Sequence, residues 1–267
     1  MKKKRSNFQK SWNILMNNKI LFAPNLLILA VNFLLFGLLL YLTGTAQALI
    51  ENNSPLLIAS FFSFHFLIYF LVYLLLISWI DNFFLAAKYG MIKEVLLKGK
   101  TNLHSGFSFG IRYYFQVLHI NIITYAIIFV PLLLAFYLLF YLLPLSSLAA
   151  FSLFLPVLII YLAYITLRLL FIYPVMAFHH QGAYHSLKED FHYVKTHLHH
   201  SFLTWLVVVL ILAITAVLKQ NLLLMSNLLY QQIFYLGLLG TLLIFLIEIL
   251  VSVWEHIYLF RAYLSKK

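Results

Sequence analysis

The stretch VLHINIITYAIIFVPLLLAFYLLFYLL, from Val117 to Leu143, decides the fold, because it contains no Asp, Glu, Lys or Arg. About 20 apolar residues in a helix are enough to cross a hydrocarbon core of about 30 Å. A membrane-spanning β-strand would alternate apolar and polar residues, and the run from Leu132 to Leu143 does not. A helix satisfies its own backbone hydrogen bonds in lipid, so the stretch predicts a transmembrane helix, kinked at Pro131.

The whole chain has the composition of an integral membrane protein. Of its 267 residues, 64% are hydrophobic and 9% are charged, whereas soluble domains carry roughly 25% charged residues. Cysteine is absent, which excludes disulfides and thiolate metal sites. The net charge of +11 comes from Lys and Arg beside the ends of apolar runs. It therefore predicts contact with anionic lipid headgroups and no nucleic-acid partner.

Six apolar runs predict an all-α bundle of six transmembrane helices in one membrane domain, residues 1–267. The predicted helices are Ile20–Leu42, Leu56 to about Ile80, Val117–Leu143, Leu148–Tyr173, Phe202 to Leu218 or Leu224, and Ile233–Tyr258. The domain divides into an amphipathic segment (1–19), helices one to four (20–178), a histidine-rich connector (179–200) and a final part with helices five and six and a basic tail (201–267).

Amphipathic stretches on one side of the bundle predict two or three helices lying in the membrane interface. The first has an apolar face formed by Phe8, Trp12, Leu15 and Met16. The second is Ala86–Lys98, followed by a Gly/Ser-containing loop at Gly99–Gly110. The third lies in the histidine-rich connector. Each of the stretches that begin at Phe8, Phe109 and Phe191 leads into an apolar run. This favours three repeated hairpins, with chance similarity in so apolar a chain as the alternative.

Basic residues indicate the orientation. The amino end holds six, the connection after helix two holds five, the histidine-rich connector two and the tail three, whereas the three opposite connections hold only Lys219. Both termini are therefore predicted to be cytoplasmic. Fourteen lysines against four arginines are typical of an AT-rich bacterial genome, so the predicted location is a bacterial plasma (inner) membrane.

The chain resembles a known group of membrane proteins. Three hairpins with amphipathic connectors, and a step from Pro174 through Gly182 to Ser186-Leu187 that leads to Lys195, are similar to six-helix bacterial and archaeal proteins. These proteins are akin to the membrane domain of glycerophosphodiester phosphodiesterases. The resemblance covers most of the chain and implies a membrane scaffold. The soluble catalytic domain of those enzymes has no counterpart here, so no catalytic residue is implied.

The connector His179–His200 holds seven of the eleven histidines. On a helix, Ala183, Leu187, Phe191, Val194 and Leu198 form an apolar stripe, with histidines on the opposite face. His185, Glu189 and His192 follow the spacing i, i+4, i+7, so their side chains could converge on one ion. Imidazole and carboxylate suit Zn²⁺, and also Ni²⁺ or Mn²⁺. A surface helix that is rich in histidine, or a pH-responsive surface contact, is the alternative.

Four charged residues lie inside the predicted transmembrane helices: Asp81, Arg168, Glu248 and Glu255. A charge at the bilayer centre costs about 2.5–3.5 kcal/mol, so such residues pair or line a wet cavity. Arg168 is predicted to lie about 15 Å deep and to pair with Glu248 or Asp81. An ion or substrate pathway, a structural pair and snorkelling to the interface are the three interpretations.

Three functions follow from these features. The leading hypothesis is a non-enzymatic scaffold or accessory protein that binds lipid or a membrane-protein partner through its connectors. The first alternative is a transporter- or permease-like protein with a pathway near Arg168, Glu248 and Asp81. The second is a metal-binding membrane protein that uses the histidine-rich connector. The chain has no H-E-x-x-H motif, glycine-rich phosphate loop or nucleophile motif, so neither an enzyme nor an organic cofactor is predicted.

Overall fold

The structure, a computed structural model, describes residues 6–51, 54–142, 146–179, 182–232 and 234–266. Predictions that concern Lys2–Arg5, the turn residues Asn52-Asn53 and Pro144-Leu145, and His180 fall outside the described residues. Within them the chain forms helices and no strand. The α-helices are α1 (Asn7–Asn17), α2 (Ala23–Leu42), α3 (Thr45–Ile50), α4 (Ser54–Phe61), α5 (Phe64–Lys98), α6 (Leu103–Tyr137), α7 (Ser147–Arg168), α8 (Ile172–His179), α9 (Ala183–Thr196), α10 (Leu198–Gln232) and α11 (Phe234–Leu264).

Two shorter elements continue the long helices. A 3-10 turn, Lys19–Phe22, precedes α2, and a π-helical turn, Leu138–Leu142, follows α6. Six helical segments are long and apolar enough to cross a membrane, and they confirm the predicted all-α class and helix number. They are Lys19–Leu42, Phe64–Lys98, Leu103–Leu142, Ser147–His179, Leu198–Leu228 and Leu239–Leu264.

The region around the second span differs from the prediction. Two short helices, α3 and α4, follow α2, so the second span begins at Phe64 and not at Leu56. The Ser63 side chain accepts a hydrogen bond from Phe66 N–H at 3.1 Å and so caps α5. The predicted interfacial helix Ala86–Lys98 is the continuation of α5, which runs for 35 residues. Only residues 99–102 separate α5 from α6, so the predicted loop at Gly99–Gly110 is wrong.

The buried core lies at one end of the bundle, which we call the basal end, where α1 packs against the end of α11. Its largest buried side chains include Tyr89, Phe171, Phe260 and Tyr263. Towards the opposite end, which we call the far end, apolar side chains are exposed: Leu34 is 74% exposed and Leu75 is 71% exposed. Such surfaces suit lipid contact, because lipid tails are as apolar as leucine. Packing therefore holds the basal ends of the helices together.

Glycines allow α5 and α6 to approach closely in the basal core. A Cβ atom on Gly90 would lie 2.4 Å from Phe109 Cβ, and one on Gly106 would lie 2.6 Å from Met91 Cγ. Gly106 and Gly110 form a G-x-x-x-G pattern, which lets helix backbones pack tightly in membranes. This contact fixes the position of α5, which carries the charged residues described next.

Candidate functional site in a polar cleft

A cavity of about 400 Å³ lies between α2, α5 and α11, and we call it the cleft. Its polar lining comes from three helices and comprises Asn25, Asn32, Asp81, Lys88, Glu248 and Ser252. Apolar side chains complete the wall. A concave site with a few convergent polar groups in an apolar wall is the usual form of a ligand-binding pocket.

Lys88 is the buried cation of the cleft. Its side chain is 2% exposed, and its Nζ lies 5.8 Å from the centre of the Tyr89 ring. Among the described residues, no carboxylate oxygen lies within 4 Å of that Nζ, although Glu255 interacts with it electrostatically. A buried charge without a close counter-ion is expensive. Lys88 therefore calls for water or an anionic group in the cleft.

Three oxygen acceptors in the same cleft also have no partner. The Oδ1 atoms of Asn25, Asn32 and Asp81 are buried and accept no hydrogen bond. Asn25 uses its amide nitrogen instead, which donates to Ser252 Oγ at 3.4 Å. Buried polar atoms in native proteins nearly always have a partner, either protein or water. The cleft thus presents three free acceptors and one ammonium donor to whatever fills it.

A second cavity, of about 460 Å³, adjoins the cleft on the α10 side and shares Glu248 and Ser252 with it. Glu255 and Lys219 also line it. Lys219 Nζ lies 2.8 Å from Glu248 Oε1, so this lysine belongs to the membrane span and not to a far connection. The pair lies about 20 Å of helix rise from the far ends of α10 and α11. In a hydrocarbon core of about 30 Å, the polar groups would therefore occupy its basal third.

The predicted pairing of Arg168 with Glu248 or Asp81 is wrong. α7 ends at Arg168 after 22 residues, a rise of about 33 Å that already spans the hydrocarbon core. Arg168 therefore lies at the basal boundary and not about 15 Å deep. Its guanidinium carbon is 5.4 Å from the centre of the Tyr164 ring, and no carboxylate of the described residues is within 4 Å.

Asp81, Glu248 and Glu255 do lie together, in the two cavities. The helices around Arg168 are different, because α7 packs mainly on α6, α9 and α10. The predicted intramembrane network therefore keeps its three acids and loses its arginine. Lys88 takes the place of that cation in the cleft. The sequence reasoning missed it because it assigned Lys88 to a separate interfacial helix.

A buried hydrogen-bond chain, also missed, joins the cleft to the basal core. The Tyr89 hydroxyl lies 3.3 Å from His256 Nε2, and His256 Nδ1 lies 2.6 Å from the carbonyl oxygen of Ser252. A carbonyl only accepts, so Nδ1 carries the proton and Nε2 accepts from the hydroxyl. The Tyr89 ring stacks on Tyr173 with a centroid distance of 4.6 Å.

The chain continues through three further helices. Tyr173 donates its hydroxyl hydrogen to Asn121 Oδ1, and Asn121 Nδ2 donates to Asn82 Oδ1 at 2.5 Å. Asn82 Nδ2 donates in turn to the carbonyl oxygen of Ser78 at 2.6 Å. Every step joins a donor to an acceptor, so this chain ties α5, α6 and α8 together without leaving a charge inside.

The histidine-rich connector forms α9, and its buried face differs from the predicted apolar stripe. The buried residues are Ser186, Asp190, Tyr193 and Val194, whereas Leu198 is 55% exposed. Asp190 is 0% exposed, and its Oδ1 accepts a hydrogen bond from Phe171 N–H at 3.1 Å, at the break between α7 and α8. Burial raises the pKa of the Asp190 carboxyl well above its usual range, and this hydrogen bond acts in the opposite direction.

The predicted ligands His185, Glu189 and His192 are not arranged as a metal site. His185 and His192 are exposed, while Glu189 Oε1 lies 2.9 Å from His179 Nδ1. Among the described residues, no group of three or more His, Asp or Glu side chains could hold a metal ion. Glu189 is thus engaged with α8, and metal binding by the connector stays a prediction.

No protein-family model, curated protein or solved structure matches this chain at a significant level. The resemblance to the membrane domain of glycerophosphodiester phosphodiesterases therefore stays a prediction. The case for a function depends on the geometry of the cleft.

Proposed function

We propose that this chain is a transporter- or permease-like membrane protein that admits a small zwitterionic solute into the cleft. One observation carries the proposal: a buried ammonium and three buried acceptor oxygens without partners line the same cavity. The Lys88 ammonium would attract a carboxylate, and the oxygens of Asn25, Asn32 and Asp81 would attract an ammonium or another donor. A solute with both groups would satisfy each of them.

We also propose a bacterial plasma membrane with both termini cytoplasmic. Support comes from the far connections, residues 43–63, 138–147 and 229–235, which contain no Lys or Arg. Lys219, the one exception expected from the sequence, lies within α10 and pairs with Glu248. With this orientation, cytoplasmic loops carry the basic residues, and the cleft lies in the cytoplasmic third of the membrane.

The proposal is tested by solute binding and uptake. Purified protein would be titrated calorimetrically with glycine, and with acetate and methylammonium as its two single-charge halves. We expect saturable binding of glycine, weaker binding of each half, and glycine uptake by proteoliposomes. Lys88→Met should abolish both binding and uptake, and Lys100→Met, an exposed lysine outside the cleft, should change neither.

The outcome that contradicts the proposal is equally specific. If folded Lys88→Met bound and transported glycine like the parent protein, or if the parent bound none of the three solutes, the cleft would not be a solute site. Folding of the variant is checked by its thermal unfolding midpoint. Removal of a buried ammonium without a close counter-ion should leave that midpoint unchanged or raise it.

A second candidate is the non-enzymatic scaffold that binds lipid or a protein partner through the basal connectors. The outer face of α9 favours it, because Tyr184 is 70% exposed beside the exposed Lys188 and Lys195. This candidate reverses the expected mutant pattern. Replacement of Lys188 and Lys195 by glutamine would weaken binding to anionic vesicles or a partner, and Lys88→Met would have no effect.

The metal-binding alternative has its own test. Calorimetric titration of Zn²⁺ into purified protein would detect it, and replacement of both His185 and His192 should then remove the binding. An affinity that the double replacement leaves unchanged would end this hypothesis. We assign no catalytic step to any residue.

A further inference from the structure

A second polar cavity, separate from the cleft, lies at the basal end of the molecule. We call it the terminal pocket. Its volume is about 600 Å³, and its polar lining comes from the start of α1 and the end of α11. The polar residues are Ser6, Asn7, Lys10, Arg261 and Ser265. The two helices are joined across the pocket by Asn7 Nδ2, which donates to Ser265 Oγ at 3.3 Å.

The charge of the terminal pocket is of one sign. Lys10 and Arg261 line it, and no acidic residue does. Among the described residues, no carboxylate oxygen lies within 4 Å of either side chain. The Nε atom of Arg261 is buried and has no hydrogen-bond partner. A buried N–H donor of this kind calls for an acceptor.

Arginine and lysine together with hydroxyl and amide groups are typical of a phosphate site. The planar guanidinium matches two phosphate oxygens at once, and lysine adds a point charge. Ser265 Oγ and Asn7 Nδ2 supply further polar hydrogen atoms beside these cations. The absence of an acid from the lining leaves nothing to repel a dianion or a phosphodiester.

The surroundings place this pocket beside an apolar surface. On α1, Phe8, Trp12 and Met16 follow the spacing i, i+4, i+8 and are 44%, 37% and 43% exposed. A helix with exposed aromatic residues on one face and lysines elsewhere is typical of the membrane interface. A ligand in the terminal pocket would then lie at the level of the lipid headgroups.

We infer that the terminal pocket binds a phosphate group, either that of an anionic lipid headgroup or free phosphate. Lys10 and Arg261 are the residues that bind the anion. This inference is independent of the solute proposed for the cleft, because the two cavities share no lining residue.

Calorimetric titration of the purified protein separates the two sources. Three probes would be used: short-chain phosphatidylglycerol, short-chain phosphatidylcholine and inorganic phosphate. Saturable binding of phosphatidylglycerol alone assigns the site to a lipid headgroup, and binding of inorganic phosphate assigns it to free phosphate. Phosphatidylcholine, which carries no net charge, should bind at least about tenfold more weakly than phosphatidylglycerol.

Matched variants localise the binding. Lys10→Gln and Arg261→Gln should each weaken it about tenfold, since a hydrogen bond to a charged group contributes about 1.5–3 kcal/mol. Lys100→Gln removes the same charge from an exposed position outside the pocket and should have no effect. Lys10 is only partly buried, so its variant stays informative if Arg261→Gln does not fold. Failure of both anions to bind, or equal losses in Lys10→Gln and Lys100→Gln, would overturn the inference.

Discussion

Two buried charges show how differently the two parts of this molecule treat an ionisable group. Asp190 is 0% exposed and Lys88 is 2% exposed. Asp190 is enclosed by the packed basal core and accepts a hydrogen bond from Phe171 N–H. Lys88 lines a cavity with other polar groups that have no partner. Burial alone therefore does not mark a functional residue.

The difference lies in what surrounds each charge. Around Asp190 the aromatic rings of Phe171, Tyr193 and Tyr263 pack against one another, with centroids 4.7–6.0 Å apart. Such a site has room for a proton and not for a ligand. Around Lys88 three helices leave an open volume with acceptors on its wall. The core charge should therefore affect stability, and the cleft charge should affect binding.

The largest expected effect is on the core side of this comparison. Phe171→Ala removes a 0% exposed ring beside Asp190 and should lower the free energy of unfolding by about 3–5 kcal/mol. Phe129→Ala, at a position that is 54% exposed on α6, should cost far less, because its ring faces the lipid side. Denaturant unfolding in detergent micelles measures both, and equal losses would contradict a core confined to the basal end.

The titration of Asp190 should be visible as a pH dependence of stability. Burial raises its pKa, so the folded state holds a proton that the unfolded state has already lost above about pH 4. The stabilisation is complete below pH 4 and is lost as the pH rises towards the folded-state pKa, by about 1.4 kcal/mol per pH unit.

Asp190→Asn keeps an oxygen for Phe171 N–H and cannot ionise. We therefore expect the variant to lose this slope and to exceed the parent protein in stability at neutral pH. Unfolding midpoints between pH 5 and pH 8 measure the effect. A parent protein that grows more stable with rising pH in this range would show that the sign is wrong.

A smaller effect is expected where the core supports the cleft. Gly90 is two residues from Lys88 and contacts Phe109, so Gly90→Val forces α5 and α6 apart and should cost about 1–3 kcal/mol. Gly37→Val is the control, since nothing lies within 4 Å of a Cβ there. If both valines were tolerated equally in unfolding measurements, close α5–α6 packing would not be what positions Lys88.

The smallest effect is expected for the ion pair between α8 and α9. His179 Nδ1 and Glu189 Oε1 are 2.9 Å apart, with side chains 21% and 29% exposed. A pair that water reaches contributes little, so Glu189→Gln should change the free energy of unfolding by less than about 1 kcal/mol. A loss comparable to that of Phe171→Ala would mean that the connector is part of the core.

The long apolar runs made the helix number predictable, because hydropathy and length report directly on membrane spans. Helix ends were less predictable. The run from Leu56 contains no charge that would mark the break at Ser63, and nothing in Ala86–Lys98 shows that it continues α5. The G-x-x-x-G pattern at Gly106 and Gly110 was available as a signal of close packing and was not used.

The candidate site was only partly predictable for a related reason. Asp81, Glu248 and Glu255 stand out as acids inside apolar runs. Their cationic neighbours depend on tertiary register, which one sequence does not encode in any local pattern. Lys219 was assigned to a far connection because α10 was expected to end at Leu218 or Leu224, and Lys88 was assigned to an interfacial helix. Arg168 was placed too deep because the break after α7 was not foreseen.

The most direct test of the central claim is the water accessibility of the cleft. The chain has no cysteine, so Asn32→Cys can be labelled with a membrane-impermeant maleimide in vesicles of either orientation while Lys88 stays in place. Leu75→Cys, on a 71% exposed surface of α5 that would face lipid, is the matched control. We expect Asn32→Cys to react from the basal side only and to be protected by glycine, while Leu75→Cys does not react. Labelling of Asn32→Cys no faster than that of Leu75→Cys would contradict a wet, solute-binding cleft at Lys88.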